Sequence, residues 1–329
     1  MSAGDRSGRI GAYGAASTLT PYLLIKVSWV AGALLGLAPT GTGFGVTGWV
    51  VLNTVTIGMA AAGIAVALAL VRPWGLRIPA KPLVFCAWVG TGFLVPLVPY
   101  AVLDSLFGPA DAAPERGGDD DPSMPGWEAV LMQIGFVGMG IGLALALPAY
   151  LRRRWPETFA GRVGDGRART GAVQAAPWSA LAAVAIGLFW LYWAAGGTVG
   201  IARPEERVLT GRLLTGVLGA WALLAAAAVL VIARGRPARL PRWIPLGIGW
   251  LGSGSLFAWS AWKLPYTLHL ALTNPADAPL PENLAVAACL HAAAVAAGAT
   301  MSASLVRRTG PGPEPRSEPV PGPGSAPGL

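Results

Sequence analysis

Charge is scarce in this chain: of 329 residues, 12% are Asp, Glu, Lys or Arg, about half the share of an ordinary soluble domain. Histidine occurs only as His269 and His291, and cysteine only as Cys86 and Cys289. Neither cysteine belongs to a CxxC pair, and both lie in apolar runs at different expected depths, so no disulfide framework or zinc knuckle is implied. Two histidines are thin material for a metal centre or a haem pair. The sequence points to no metal and no cofactor, and leans away from an enzyme, which needs an acid-base or metal constellation. Lysine is rare too: three of the 24 basic residues are Lys26, Lys81 and Lys263. With the abundant Ala and Gly, that reads as a GC-rich bacterial genome, a matter of codons.

What the chain has is apolar length. Hydrophobic residues make up 54%, in runs long enough to cross a bilayer. Eight spans are expected at about 20–37, 45–71, 82–103, 127–150, 177–196, 213–233, 243–265 and 283–305. They must be helices, because lipid leaves a free backbone N–H or C=O unsatisfied. The fold class expected is all-α integral membrane. Pro39, Pro82, Pro125, Pro177, Pro241 and Pro281 punctuate the junctions. Arg6 and Arg9 ahead of an apolar run resemble a signal peptide, but Lys26 interrupts the run, so a retained first helix is expected. Lys26, near the cytoplasmic end of that span, is expected to snorkel to the headgroups.

Basic residues exceed acidic ones by 24 to 16, yet they sit in short stretches beside apolar runs, which indicates topology and not nucleic acid. One set of loops holds Arg72, Arg77 and Lys81; Arg152, Arg153, Arg154, Arg162, Arg167 and Arg169; Arg234, Arg236, Arg239 and Arg242; and Arg307 and Arg308. The alternate loops hold Asp104, Asp111, Glu115 and Asp119-Asp120-Asp121, then Asp277 and Glu282. Arg-rich loops stay inside, so a multi-pass protein of the cytoplasmic membrane with both termini cytoplasmic is expected. Arg203, Arg207 and Arg212 run against that rule.

An ungapped match suggests duplication. Arg77, Pro79, Trp88, Gly90, Gly92 and Leu94 fall on Arg239, Pro241, Trp250, Gly252, Gly254 and Leu256, with Arg72 on Arg234. With a small shift, Trp29-Val30-Ala31-Gly32 lies over Trp193-Ala194-Ala195-Gly196. An even number of spans per repeat keeps orientation, so two parallel four-helix repeats are expected. The divisions are 1–151, an Arg-rich cytoplasmic linker 152–176, 177–308, and a disordered Pro/Gly-rich tail 309–329. Gly138 with Gly142, and Gly32 with Gly36, have the GxxxG spacing of close helix packing and are expected where the halves meet.

Gly247-Ile248-Gly249-Trp250-Leu251-Gly252 matches GxGxxG, but a dinucleotide site needs a strand-to-helix turn and this run lies inside a span. Asp119-Asp120-Asp121 could hold a hard cation, though without EF-hand spacing a solvated loop is the better reading.

Intramembrane polar groups are functional candidates by default. Asn53, Gln133 and His291 fall roughly 9–12 Å below the outer surface by helical rise, with Asp104, Glu128, Lys263 and His269 nearer the rim. They could line an outward-facing polar vestibule between the halves. The competing reading is interhelical hydrogen bonds and hydrated rim charges. Pro96, Pro99 and Pro265 could break helices, as transporters use, but they lie toward the outer ends. The expected role is therefore structural, regulatory or partner-binding, with small-solute transport through the vestibule as the alternative. The partners implied are membrane lipid and either another protein or a second copy of the chain.

Phe189-Trp190-Leu191-Tyr192-Trp193-Ala194-Ala195-Gly196-Gly197 resembles the Tyr-Trp-Ala-Leu-Gly-Gly signature of small actinobacterial membrane proteins of no assigned activity. Ala195 stands where that family has Leu, and the stretch covers one span of eight. The resemblance implies lineage and a membrane location, and carries no activity.

Overall fold

The computed structural model describes residues 3–37, 40, 45–108, 126–156, 160–165, 175–273 and 280–309. The Asp119-Asp120-Asp121 loop, with Asp111 and Glu115, lies outside them, as do Arg167, Arg169, Asp277 and the tail from 310. The described chain is helical: α1 (Ala3–Leu35), α2 (Val46–Ala69), α3 (Ala80–Leu94), α4 (Leu97–Phe107), α5 (Gly126–Arg154), α6 (Ala175–Ala194), α7 (Leu209–Arg234), α8 (Trp243–Thr273) and α9 (Leu284–Thr309). Among the described residues, β-pairing is limited to isolated bridges, Arg162 with Pro241 and Ile201 with Glu282.

Among the described residues, seven segments are long and apolar enough to cross a membrane: α1, α2, α3 with α4, α5, α6, α7 and α9. The chain therefore has the build of a multi-pass membrane protein. The eighth long helix, α8, has 31 residues but carries Gly, Ser, Trp and Lys that keep it out of that set.

Three expectations change. First, α1 begins at Ala3, not near 20. Its early glycines are contact residues: a Cβ on Gly8 would lie 2.5 Å from Ala149 Cβ, and one on Gly11 2.8 Å from the Gly142 carbonyl. Lys26 consequently sits well along α1 and is 1% exposed, so it is a core residue and does not snorkel. Second, the third span divides at Val95–Pro96 into α3 and α4, whereas Pro265 lies inside an unbroken α8 that continues to Thr273. Third, Gly138 and Gly142 seat α1 against α5 within the first half. A Cβ on Gly138 would meet Thr18 Oγ1 at 2.5 Å, and one on Gly142 would meet Ala15 Cβ at 2.5 Å. Gly36, with φ of 67°, ends α1.

Two hydrophobic cores follow the chain. One spans Ala12 to Leu151 and the other Ala176 to Leu305. In the second, α6 and α7 approach through Gly187 and Gly219, each of whose added Cβ would lie 2.9 Å from the other's carbonyl oxygen. Gly249 and Gly252, from the GxGxxG run, are packing residues: a Cβ on Gly252 would meet Ala225 Cβ at 2.5 Å.

The helix ends are capped by arginines. Arg153 donates to the Leu70 carbonyl and Arg154 to the Leu76 carbonyl at the C-terminal side of α2, where helical carbonyls are unsatisfied and the dipole is negative. Nearby, Val163 and Gly164 donate their amides to Leu240 and Ala238.

Candidate functional site

The two cores meet where α3 lies along α8. Trp88 donates its indole N–H toward the Trp250 carbonyl and Ser253 Oγ, both at 3.2 Å. A Cβ on Gly92 would fall 2.1 Å from the Gly254 carbonyl carbon, and one on Gly254 would fall 3.1 Å from Gly92 Cα. Backbone therefore rests on backbone, which only glycine permits. Further along, Phe93 stacks on Trp259 at 4.4 Å and 9°, and Trp259 donates to the Phe93 carbonyl at 3.0 Å. Partner numbers rise together along both helices, so α3 and α8 run in parallel.

Each of the two cores also has a cation–aromatic cluster toward the C-terminal part of its first helix. In the first half the Lys26 ammonium lies 4.2 Å from the Trp29 ring centroid and 5.7 Å from that of Tyr22. Trp29 stacks on Trp49 at 5.4 Å and donates to Glu128 Oε2 at 3.2 Å. One turn from Trp49, Asn53 donates to the Trp49 carbonyl, while its own Oδ1 is buried without a hydrogen bond. With Trp29 facing Trp49 on antiparallel helices, Lys26 and Asn53 occupy the same level. That juxtaposition escaped sequence reasoning because it depends on the α1–α2 register.

In the second half, the Tyr-Trp-Ala-Ala-Gly-Gly stretch proves to be a helix stop. Gly196 adopts φ of 100°, the amides of Gly196 and Gly197 return to Trp193 and Tyr192 carbonyls, and the Tyr192 hydroxyl accepts the Thr198 and Val199 amides. The Trp193 indole donates to the Val199 carbonyl at 2.8 Å. Arg207 and Arg212 complete the cap by donating to the Trp193 and Ala194 carbonyls, and Arg207 lies 5.6 Å from the Trp193 ring. Burial lowers the Arg207 pKa from its ordinary value; Glu282 opposes that shift and Arg212 adds to it. Arg203 pairs with Glu206 at 2.6 Å and donates to the Leu280 carbonyl.

The seven polar candidates divide between these neighbourhoods. His291 meets Ser260 Oγ at 3.2 Å beside Trp190, and Lys263 is within Coulombic reach of His291, Glu282 and Arg207. Asn53 and Glu128 belong to the first-half cluster. Asp104 is half-buried on α4, which packs against both α5 and α7. Gln133 and His269 are exposed and belong to neither cluster by a described contact. The structure thus brings His291 to Lys263, and Asn53 and Glu128 to one cluster, without joining the two sets by a described contact. Cys86 and Cys289 are free and exposed. Comparison with known protein families, with curated proteins and with solved structures finds no match for this chain.

Proposed function

We propose that this chain crosses the cytoplasmic membrane eight times, with both termini cytoplasmic, as two parallel four-helix halves forming a rigid structural, regulatory or partner-binding scaffold. The observation that carries the reading is the α3–α8 seam. Gly92 and Gly254, and Trp88 and Trp250, are counterparts in the repeat, and each meets its own counterpart. Self-meeting of equivalent residues is what an axis between duplicated halves produces. Alternating access requires halves that rock against each other, and the seam opposes that with glycine contact, indole hydrogen bonds and a stacked Phe93–Trp259 pair.

The eighth crossing is supported by the neighbours of α8. At 31 residues it is roughly 46 Å long, and it packs along α7 and α9, both of membrane length. The arginines that oppose the orientation rule have local work: Arg207 and Arg212 cap α6, and Arg203 pairs with Glu206.

Spin labels at Leu34→Cys in α1 and Leu268→Cys in α8, with Cys86 and Cys289 replaced by Ser, test rigidity. Double electron–electron resonance in nanodiscs should give one distance distribution. Two populations whose proportions shift with added solute would contradict the scaffold and favour transport.

A further inference from the structure

We infer an anionic-phospholipid site at the arginine-rich end of α7, where an apolar groove ends in two guanidinium groups. The groove has a volume of about 910 Å³ and is lined by Ala227, Leu230, Val231, Arg234, Arg236, Pro237 and Ala238. Its wall is the lipid-facing side of α7, and its floor is the turn that follows Gly235, whose φ of 64° ends the helix. Three apolar side chains followed by two arginines along the lining match one acyl chain leading to a phosphate.

The charges are available for that purpose. Arg234 and Arg236 are exposed and, among the described residues, make no salt bridge or side-chain hydrogen bond. This sets them apart from Arg153 and Arg154 at the same end, which are spent on α2 and its following turn. Asp165, in the loop that hydrogen-bonds this turn, is turned to its own loop, accepting the Arg162 amide at 2.7 Å. Arg162 and Arg239 are exposed close by, so the field there is positive. The turn is also braced from below, because Gly164 donates its amide to the Ala238 carbonyl at 3.1 Å. Guanidinium forks bind phosphate oxygens two at a time, and basic pockets between helices on the cytoplasmic side hold anionic headgroups. A free anion would gain the arginines alone, whereas a phospholipid also covers Ala227, Leu230 and Val231.

The inference rests on the reading that the chain spans a membrane, and the test separates the two. The full chain is released from nanodiscs containing phosphatidylglycerol and phosphatidylcholine of identical acyl chains, and retained lipids are counted by native mass spectrometry. Preferential retention of phosphatidylglycerol is expected, with the preference falling roughly thirty-fold in R234Q/R236Q. R234K/R236K should keep most of it, and R77Q, at the same end of the first half, should keep all of it; unchanged melting of each variant verifies folding. Excess inorganic phosphate should not displace the lipid. Equal retention of both lipids, an undiminished preference in R234Q/R236Q, or displacement by phosphate would overturn the site. Retention of neither lipid would likewise overturn the site, whereas failure of the chain to enter nanodiscs at all would count against the membrane reading.

Discussion

From Ala80 the first half runs through α3, breaks at Val95–Pro96 and resumes as α4. From Trp243 the second half runs unbroken to Thr273. The aligned counterpart of Pro96 is Ala258, which donates its amide and lets the helix continue. The reverse holds for the first helix of each half: α6 stops at Gly196, while α1 passes its counterpart Gly32 and ends at Gly36. One segment is closely alike in both, from Trp88 to Leu94 and from Trp250 to Leu256, and it is the segment where α3 and α8 touch. Helix length and end chemistry have room to vary where neighbours are lipid or loop. They have none where two backbones touch.

Breaking that contact should have the largest effect. Gly254→Val would drive side-chain atoms into the Trp88 carbonyl and the Gly92 backbone, costing about 1–3 kcal/mol or more. Thermal unfolding in detergent should register it, while Gly58→Ala, with nothing within 4 Å of the added Cβ, should be neutral or slightly stabilising. Comparable losses from both would mean that the seam is not special.

The two seam tryptophans allow a finer comparison. Trp88 donates across the seam, whereas the Trp250 indole nitrogen is buried without a hydrogen bond. Trp88→Phe should therefore destabilise by about 1 kcal/mol, and Trp250→Phe should be neutral or slightly stabilising. Equal losses would place a hidden partner at Trp250.

Asn53→Leu is of similar shape and removes a buried, unbonded carbonyl oxygen together with one amide bond, so its net change should stay within about 1 kcal/mol. A large loss would mean that Oδ1 serves a bound water or ligand. The smallest effect belongs to Gly247→Ala, where the added methyl meets nothing within 4 Å and helix propensity favours alanine by up to about 1 kcal/mol. Gly252→Ala in the same GxGxxG run should destabilise, since its Cβ would meet Ala225.

Much of this was legible in the sequence, for identifiable reasons. Span positions follow from apolar runs, since lipid selects by hydropathy and length. The α1 start was missed because Gly8, Gly11 and Ala15 face α5: small residues earn their place by fit, and a hydropathy window does not see fit. Pro265 looked like a stop, yet α8 tolerates it with neighbouring helices packed around it. The glycines of the α3–α8 contact stood out in the two aligned segments, but the GxxxG rule pointed to Gly138 and Gly142, because spacing does not reveal which helix lies opposite. Among the polar candidates, depth could be counted along each helix, but facing could not. Gln133 and His269 are exposed, while Lys26, set aside as a snorkelling residue, shares a level with Asn53.

The seam as the join between two four-helix halves is tested most directly by dividing the chain. Cleaving the coding sequence within the linker, between Asp165 and Ala175, yields two polypeptides that retain every described helix. Co-expressed and purified through a tag on either one, they should be recovered one to one, and Gly92→Val or Gly254→Val should separate them. Halves that fail to associate, or that stay together with both glycines replaced by valine, would contradict the account.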